Sequence, residues 1–350
     1  MIYISKRFYS FLFFSAILPL FFTCGNNPTD DKNSPKWEAL GYGDRIASRL
    51  VMADPYLYVC GAIDGLWRKN MRQEDADWEY LGLADPAGSW SNGNGVRHVV
   101  IHQENPDWLM VTSNTGGAGQ HKIYRSVNGG QNWTLADSGV SSPGSIQLFL
   151  QFPDRILGAG LSIYSTVNFG NQWELVANGR QQVNIFANHP ISTHIVWMGG
   201  ETAFMDGFLL KSVDSAKTWQ VIDLQQVIPS SNAIYSIAFD DTNSDMVYVG
   251  LGSGIIKSSD GGQSWINIAG LDTIYGVLDL VADPRSTQHL WAGSAVQGQA
   301  FWETWDAGNS WKSIEVPNDD SLIVYDMVWD EVEEALYVAT PNDIFQFTPE

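Results

Sequence analysis

The sequence predicts an all-β fold, a seven-bladed β-propeller of four-stranded antiparallel blades with an N-terminal strand closing the last blade. Three observations carry this. An eight-residue spelling recurs five times, a strand–turn–strand unit recurs upstream of it, and the composition is rich in Gly, Trp, Tyr and Phe but poor in Lys and Arg. Sequences of that kind suit pleated, half-buried sheets joined by tight turns.

The spelling is Ser/Thr-x-Asp/Asn-x-Gly/Ala-x-polar-Trp. It first reads Ser126-Val127-Asn128-Gly129-Gly130-Gln131-Asn132-Trp133. It returns as Thr166 to Trp173 around Asn168, Ser212 to Trp219 around Asp214, Ser258 to Trp265 around Asp260, and Thr304 to Trp311 around Asp306. An Asn or Asp side-chain oxygen accepts backbone N–H groups inside a tight turn. Gly supplies a left-handed backbone position, and Trp buries a large apolar surface between neighbouring sheets. The five Asx residues are therefore read as structural acceptors. A strand such as Gly254-Ile255-Ile256-Lys257 precedes each turn and one such as Trp265-Ile266-Asn267-Ile268 follows it. The turn is thus a hairpin between the third and outermost strands. Upstream, His189-Pro190, Asp240-Asp241 and Asp283-Pro284 each precede a run ending in Gly, such as Val196-Trp197-Met198-Gly199. These read as the turn between the first and second strands. Four strands in about 45 residues is the period of a propeller blade.

Outer-strand tryptophans are Trp78, Trp133, Trp173, Trp219, Trp265 and Trp311. After Trp311 the chain has room for strands over 323–329, 335–339 and 344–347, and that blade lacks a fourth. Trp37-Glu38-Ala39-Leu40 mirrors Trp173-Glu174-Leu175 and supplies it. A ring closed in this way leaves no open sheet edge. The five turns resemble the Asp-box, or BNR repeat, of sialidases, sortilin-type receptors, xyloglucanases and photosystem II assembly-factor-like propellers. The resemblance covers nearly all of 37–350 and implies the architecture rather than an activity.

The first 23 residues read as a signal peptide. Lys6 and Arg7 precede an apolar run from Phe8 to Phe22 that is short for a membrane span. Phe21-Phe22-Thr23-Cys24-Gly25 resembles the lipobox of bacterial lipoproteins. The resemblance implies cleavage before Cys24, acylation of that cysteine, and a lipid-anchored place in the bacterial cell envelope. The outer membrane is preferred to the inner one, with the chain facing the periplasm or the cell surface. Residues 24–36 are polar and contain proline, and read as a flexible tether. Cys60, in the strand-like Leu57-Tyr58-Val59-Cys60-Gly61, reads as a small buried hydrophobe with no disulfide partner.

The formal charge of −20 repels phosphate backbones and excludes nucleic acid as a partner. Six scattered histidines show no metal-ligand spacing, and no Gly-rich nucleotide loop is present, so no metal and no cofactor are expected. A monomer is expected.

Links between blades, and between second and third strands, share one face. The resemblance implies that ligands use this face and the channel mouth. The face carries Trp90 and Phe204 for stacking or docking, and Arg45, Arg97 and Arg180 near inner strands. A sialidase needs three arginines clamping a carboxylate by bidentate bonds, and Asp44-Arg45-Ile46-Ala47 lacks the proline of that family's motif. A xyloglucanase-like hydrolase needs two opposed carboxylates, for which Asp64, Asp85, Glu201 and Asp206 are the candidates. The reading preferred on the sequence is a non-catalytic scaffold presenting its loop face to a protein or glycan partner. The alternative is a glycoside hydrolase.

Overall fold

The computed structural model describes residues 36–349 apart from 44, 85–94, 114–121, 142–145, 147, 179–180, 205, 226, 229–231, 269–273, 275, 296–298 and 318–322. Residues 1–35, which include those read as a signal peptide, Cys24 and most of those read as a tether, lie outside the described residues. Seven sheets are formed, each of four antiparallel strands, and no helix occurs among the described residues. The inner strands are Ala47–Ala53, Val96–Ile101, Leu148–Gln151, Gln181–Asn188, Ile234–Phe239, Val277–Ala282 and Asp326–Asp330. They pack against one another in chain order, and the seventh returns to the first. The chain is a seven-bladed β-propeller.

Closure uses both ends of the propeller. Lys36–Ala39 pairs antiparallel with Ile344–Thr348, setting Trp37 opposite Phe347 and Ala39 opposite Phe345. The Trp37 ring lies 4.6 Å from that of Phe347 and 5.3 Å from that of Phe301 in blade 6, so the closing strand also seals a seam. The inner strand of blade 7 begins at Asp326, later than the sequence predicts. Val324 is drawn away because its N–H donates to Ser294 O of blade 6.

The five repeated turns share one hydrogen-bond pattern. In the Ser258 turn the hydroxyl donates to Asp260 Oδ1 at 2.8 Å and accepts from Gly262 N–H at 2.8 Å, while Asp260 Oδ1 accepts from Ser264 N–H at 2.8 Å. The same three bonds recur around Asn128, Asn168, Asp214 and Asp306. The Ser264 hydroxyl and these N–H donors hold the Asp260 carboxyl down at about 2. Two consecutive residues take positive φ in each turn, and in blade 4 they are Ser215 (59°) and Ala216 (62°), where side chains bear the strain glycine avoids. Gly262 is further constrained by space, since a Cβ there would meet Trp197 of the preceding blade at 2.2 Å.

Tryptophans close the seams. The indole N–H of Trp78 donates to Leu40 O at 3.0 Å, Trp133 to Leu81 O at 2.7 Å, and Trp173 to Ala136 O at 2.7 Å, in each case across to the preceding blade. Trp265 instead bonds Gly262 O of its own turn at 3.2 Å. On the same face, cations reach forward. Arg125 donates to Phe169 O at 2.8 Å, Lys211 to Gly261 O at 2.9 Å and Lys257 to Ala307 O at 3.2 Å. Arg155 does the same for Ser215 O. Cys60 is fully buried, and burial pushes its thiol up to about 12.

Trp37→Ala removes the aromatic seal between blades 6 and 7. It is expected to cost about 2–3 kcal/mol, at the lower end for a large aromatic because the ring is partly exposed. Urea unfolding measures the loss, and amides of 344–348 should exchange first in native-state hydrogen exchange.

Candidate functional site in the central channel

The inner strands surround a channel, and five of them carry a register break near their start. The breaks fall between Ala47 and Arg49, Val96 and His98, Val183 and Ile185, Ile234 and Ser236, and Val277 and Asp279. One residue is passed over in each: Ser48, Arg97, Asn184, Tyr235 and Leu278. A residue in excess of the ladder is a bulge, and bulges re-aim side chains. All five line one cavity of about 220 Å³ with Arg49, Leu148 and Tyr325, so every blade contributes to it.

One position further along, side chains tie seams together. Asp326 Oδ2 accepts Leu50 N–H at 2.6 Å, linking blade 7 to blade 1. Asp279 Oδ2 accepts Met327 N–H at 2.7 Å, linking blade 6 to blade 7. His98 Nδ1 accepts Phe149 N–H at 3.3 Å, linking blade 2 to blade 3. Burial pushes Asp326 up to about 6, opposed by the Arg49 charge and the Leu50 bond. Burial, then the Asp326 charge, pushes Asp279 well above the usual carboxylate range. His98 is driven far down by burial and by Arg49, which keeps it neutral and able to accept.

The two channel arginines differ. Arg49 faces the Asp326 and Asp279 carboxylates. Arg97 has no carboxylate partner among the described residues; it is exposed, the protein around it lowers its proton affinity only by desolvation, and it stays charged.

The residues singled out in the sequence are spread around the ring. Arg97 lines the channel. Arg45 is held by its own loop, donating to Tyr42 O at 2.8 Å with its guanidinium 4.4 Å from the Trp67 ring, so it does not join Arg97 in a clamp. Asp64 sits in the second-to-third-strand turn of blade 1, where its carbonyl accepts Trp67 Nε1–H at 2.9 Å. Glu201 lies near the end of the second strand of blade 4, and Asp206 O accepts Thr202 N–H at 2.9 Å while Asp206 N–H donates to the Thr202 hydroxyl at 3.2 Å. Blades 1 and 4 are not neighbours, so Asp64 does not converge with Glu201 or Asp206. Phe204 is 82% exposed at the blade 4 turn. Asp206 borders a larger cavity of about 550 Å³ on the outer flank of blade 4, lined mainly by apolar groups such as Phe208, Leu224 and Ile228. Asp85, Trp90 and Arg180 lie outside the described residues.

The sequence reading assigned no site to Arg49, Asn184, Tyr235, Tyr325, Asp279 or Asp326. Aligning the inner-strand segments on the apolar residues Ala47, Val96, Val183, Ile234, Val277 and Val324 puts them in the next two columns, which is the signal that could have found them.

No protein-family model matches the chain. It is 27% identical over 207 residues to an oligoxyloglucan-reducing end-specific xyloglucanase of Emericella nidulans, a stretch covering 51% of this chain and 24% of that protein. A probable enzyme of the same description from Neosartorya fischeri is 30% identical over 118 residues, covering 33% and 14%. The aligned stretches thus span about a quarter of those relatives or less. Among solved structures, YCF48 from Cyanidioschyzon merolae matches with a TM-score of 0.66 at 14% identity, over 89% of this chain and 98% of that one. The Niastella koreensis GH74 enzyme matches with a TM-score of 0.65 at 16% identity, over 87% and 52%. At such identities the likeness is one of fold.

The raised Asp326 carboxyl has a definite sign. The folded state holds this proton more tightly than the unfolded chain, so its contribution is full below the ordinary carboxylate value and is lost as pH rises through about 6. Asp326→Asn keeps an oxygen to accept Leu50 N–H and removes the titration. Wild type is expected to lose stability relative to the variant as pH rises from about 5 to about 7, read from urea midpoints.

Proposed function

We propose that the chain is a non-catalytic, extracytoplasmic binding and assembly scaffold, held in the bacterial envelope by lipid on Cys24, whose channel mouth captures an acidic segment of a protein partner. The observation that carries this is Arg97, a charged side chain aimed into a cavity beside Arg49 with no carboxylate partner among the described residues. In a chain of net charge −20, such a site is an island of opposite sign. Low-dielectric walls strengthen its field, and guanidinium forks suit carboxylates. Tyr235, Tyr325, Gln182 and Asn184 add polar groups around the rim. A fold-level neighbour lends support: the structure titled YCF48 bound to D1 peptide matches over 97% of its own length with a TM-score of 0.67 at 13% identity. The test is recovery of partners from detergent extracts of native envelopes, using full-length wild type and the Arg97→Gln variant as baits. The variant is expected to lose the partner while keeping its melting temperature within a few degrees. Equal recovery by both baits rejects the channel as the binding site.

A second reading, a glycoside hydrolase of xyloglucanase type, is favoured by the 27% identity over 207 residues to the Emericella nidulans enzyme. Its carboxylate pair would be drawn from Asp64, Asp85, Glu201 and Asp206, with Asp64 not paired to Glu201 or Asp206 because blades 1 and 4 do not adjoin. In a reducing-sugar assay on xyloglucan oligosaccharides, this reading expects activity that Asp64→Ala, Asp85→Ala or Glu201→Ala lowers by about 100-fold or more. No release above the buffer blank rejects it.

A further inference from the structure

The face opposite the channel mouth, built from the repeated turns, breaks its own rule in blade 6. The position just before the turn hydroxyl is Arg125, Lys211 and Lys257 in blades 2, 4 and 5, each bonding a carbonyl of the next blade, while blade 3 has Ser165 there and makes the forward bond from Arg155 to Ser215 O. Blade 6 has Glu303 there instead. Blade 7 is closed by a separate strand and offers no such hairpin ahead of it. Glu303 turns inward and takes His289 Nε2 at 2.9 Å and Trp291 Nε1–H at 3.1 Å. Asp283 Oδ2 takes His289 Nδ1 at 2.8 Å. With a carboxylate on each ring nitrogen, His289 is held as an imidazolium: burial opposes its charge, and the two acids outweigh that and raise its proton affinity.

On this cluster lies Trp305. It occupies the second position of the repeated turn, which is Val127, Val167, Val213 and Ser259 in the other blades. The turn therefore does not need an aromatic ring there. The indole stacks on His289 with centroids 3.5 Å apart and planes 12° from parallel. That stack restrains the ring, yet it remains 51% exposed. One face is glued to His289 and the other is open.

We propose that the open face of Trp305 is a stacking platform for a neutral pyranose ring of a glycan. A flat aromatic surface that cannot swing loses little entropy on binding, and it matches the C–H face of a sugar in size and polarity. The surrounding charges argue for a neutral occupant. Three carboxylates, Asp283, Glu303 and Glu334, meet two cations, His289 and Arg285, so the cluster keeps one net negative charge that repels an anionic occupant. Arg285 and Glu334, both exposed, carry donors and acceptors at the Asp283 side of the cluster that suit sugar hydroxyls. This site lies on the face opposite the channel mouth and stands independently of the scaffold proposal.

The test uses the full chain carrying 5-fluorotryptophan. The resonance missing from Trp305→Val, which restores the residue of the sibling turns, is that of Trp305. Cellohexaose, xylohexaose and mannohexaose are titrated separately, with trigalacturonate as the charged control. At least one neutral sugar is expected to shift the Trp305 resonance saturably. Trp305→Val should weaken that binding by roughly tenfold or more, and Arg97→Gln should leave it unchanged. A response to trigalacturonate alone, equal binding by Trp305→Val, or silence with all three neutral sugars overturns the assignment. The last result would leave the patch to a protein surface.

Discussion

Everything in this molecule rests on the seam between adjacent blades. A single four-stranded sheet has two faces and two edges to satisfy, and none of the seven can bury its apolar side chains alone. The seam does this by pairing a Trp or Gly of one turn with the blade behind it, as Trp173 does with Ala136 O and Gly262 with the Trp197 ring. Because each seam needs a neighbour on both sides, the array is stable when it closes. Lys36–Ala39 provides that closure by completing the sheet of Asp326–Asp330. Ring closure therefore couples the two ends of the propeller to every seam between them.

The seams were legible in the sequence because their chemistry is local. A hydroxyl, an Asx oxygen and a positive-φ pair sit within a few residues, so the spelling survives in one dimension. The borrowed strand was legible for the same reason, since Trp37-Glu38 repeats Trp173-Glu174. The channel was not. Whether Arg97 or His98 faces the lumen depends on a register break that the partner strand defines, and a shift of one residue exchanges the two. The acid pair was hidden too: Asp279 and Asp326 are 47 positions apart in the numbering and meet only because blades 6 and 7 adjoin. Arg45 misled for the opposite reason. It lies at a strand entry, but the Trp67 ring and Tyr42 O hold it where it stands.

The two faces divide their labour by how backbone groups are satisfied. On the turn face, Asp and Asn side chains saturate the N–H groups of each hairpin, so their carboxylates have little left to offer a ligand. On the channel side, Asp326, Asp279 and His98 accept N–H groups across seams, which holds the lumen's shape while Arg97 stays uncommitted. The acids nearest the channel thus act as mortar. The exception on the turn face is blade 6, where the lack of a hairpin ahead of it released Glu303 for another use.

The bulges have a consequence for how such a chain can change. Ser48, Arg97, Asn184, Tyr235 and Leu278 are surplus to the strand ladders, so the sheet does not depend on their identity. A substitution at Arg97 or Leu278 rewrites the lumen's chemistry while leaving pairing and register intact, whereas Ser48 and Asn184 also bond carbonyls of the next blade, Val96 O and Ile234 O. The skeleton thus leaves some lumen positions open to change and ties others into its seams.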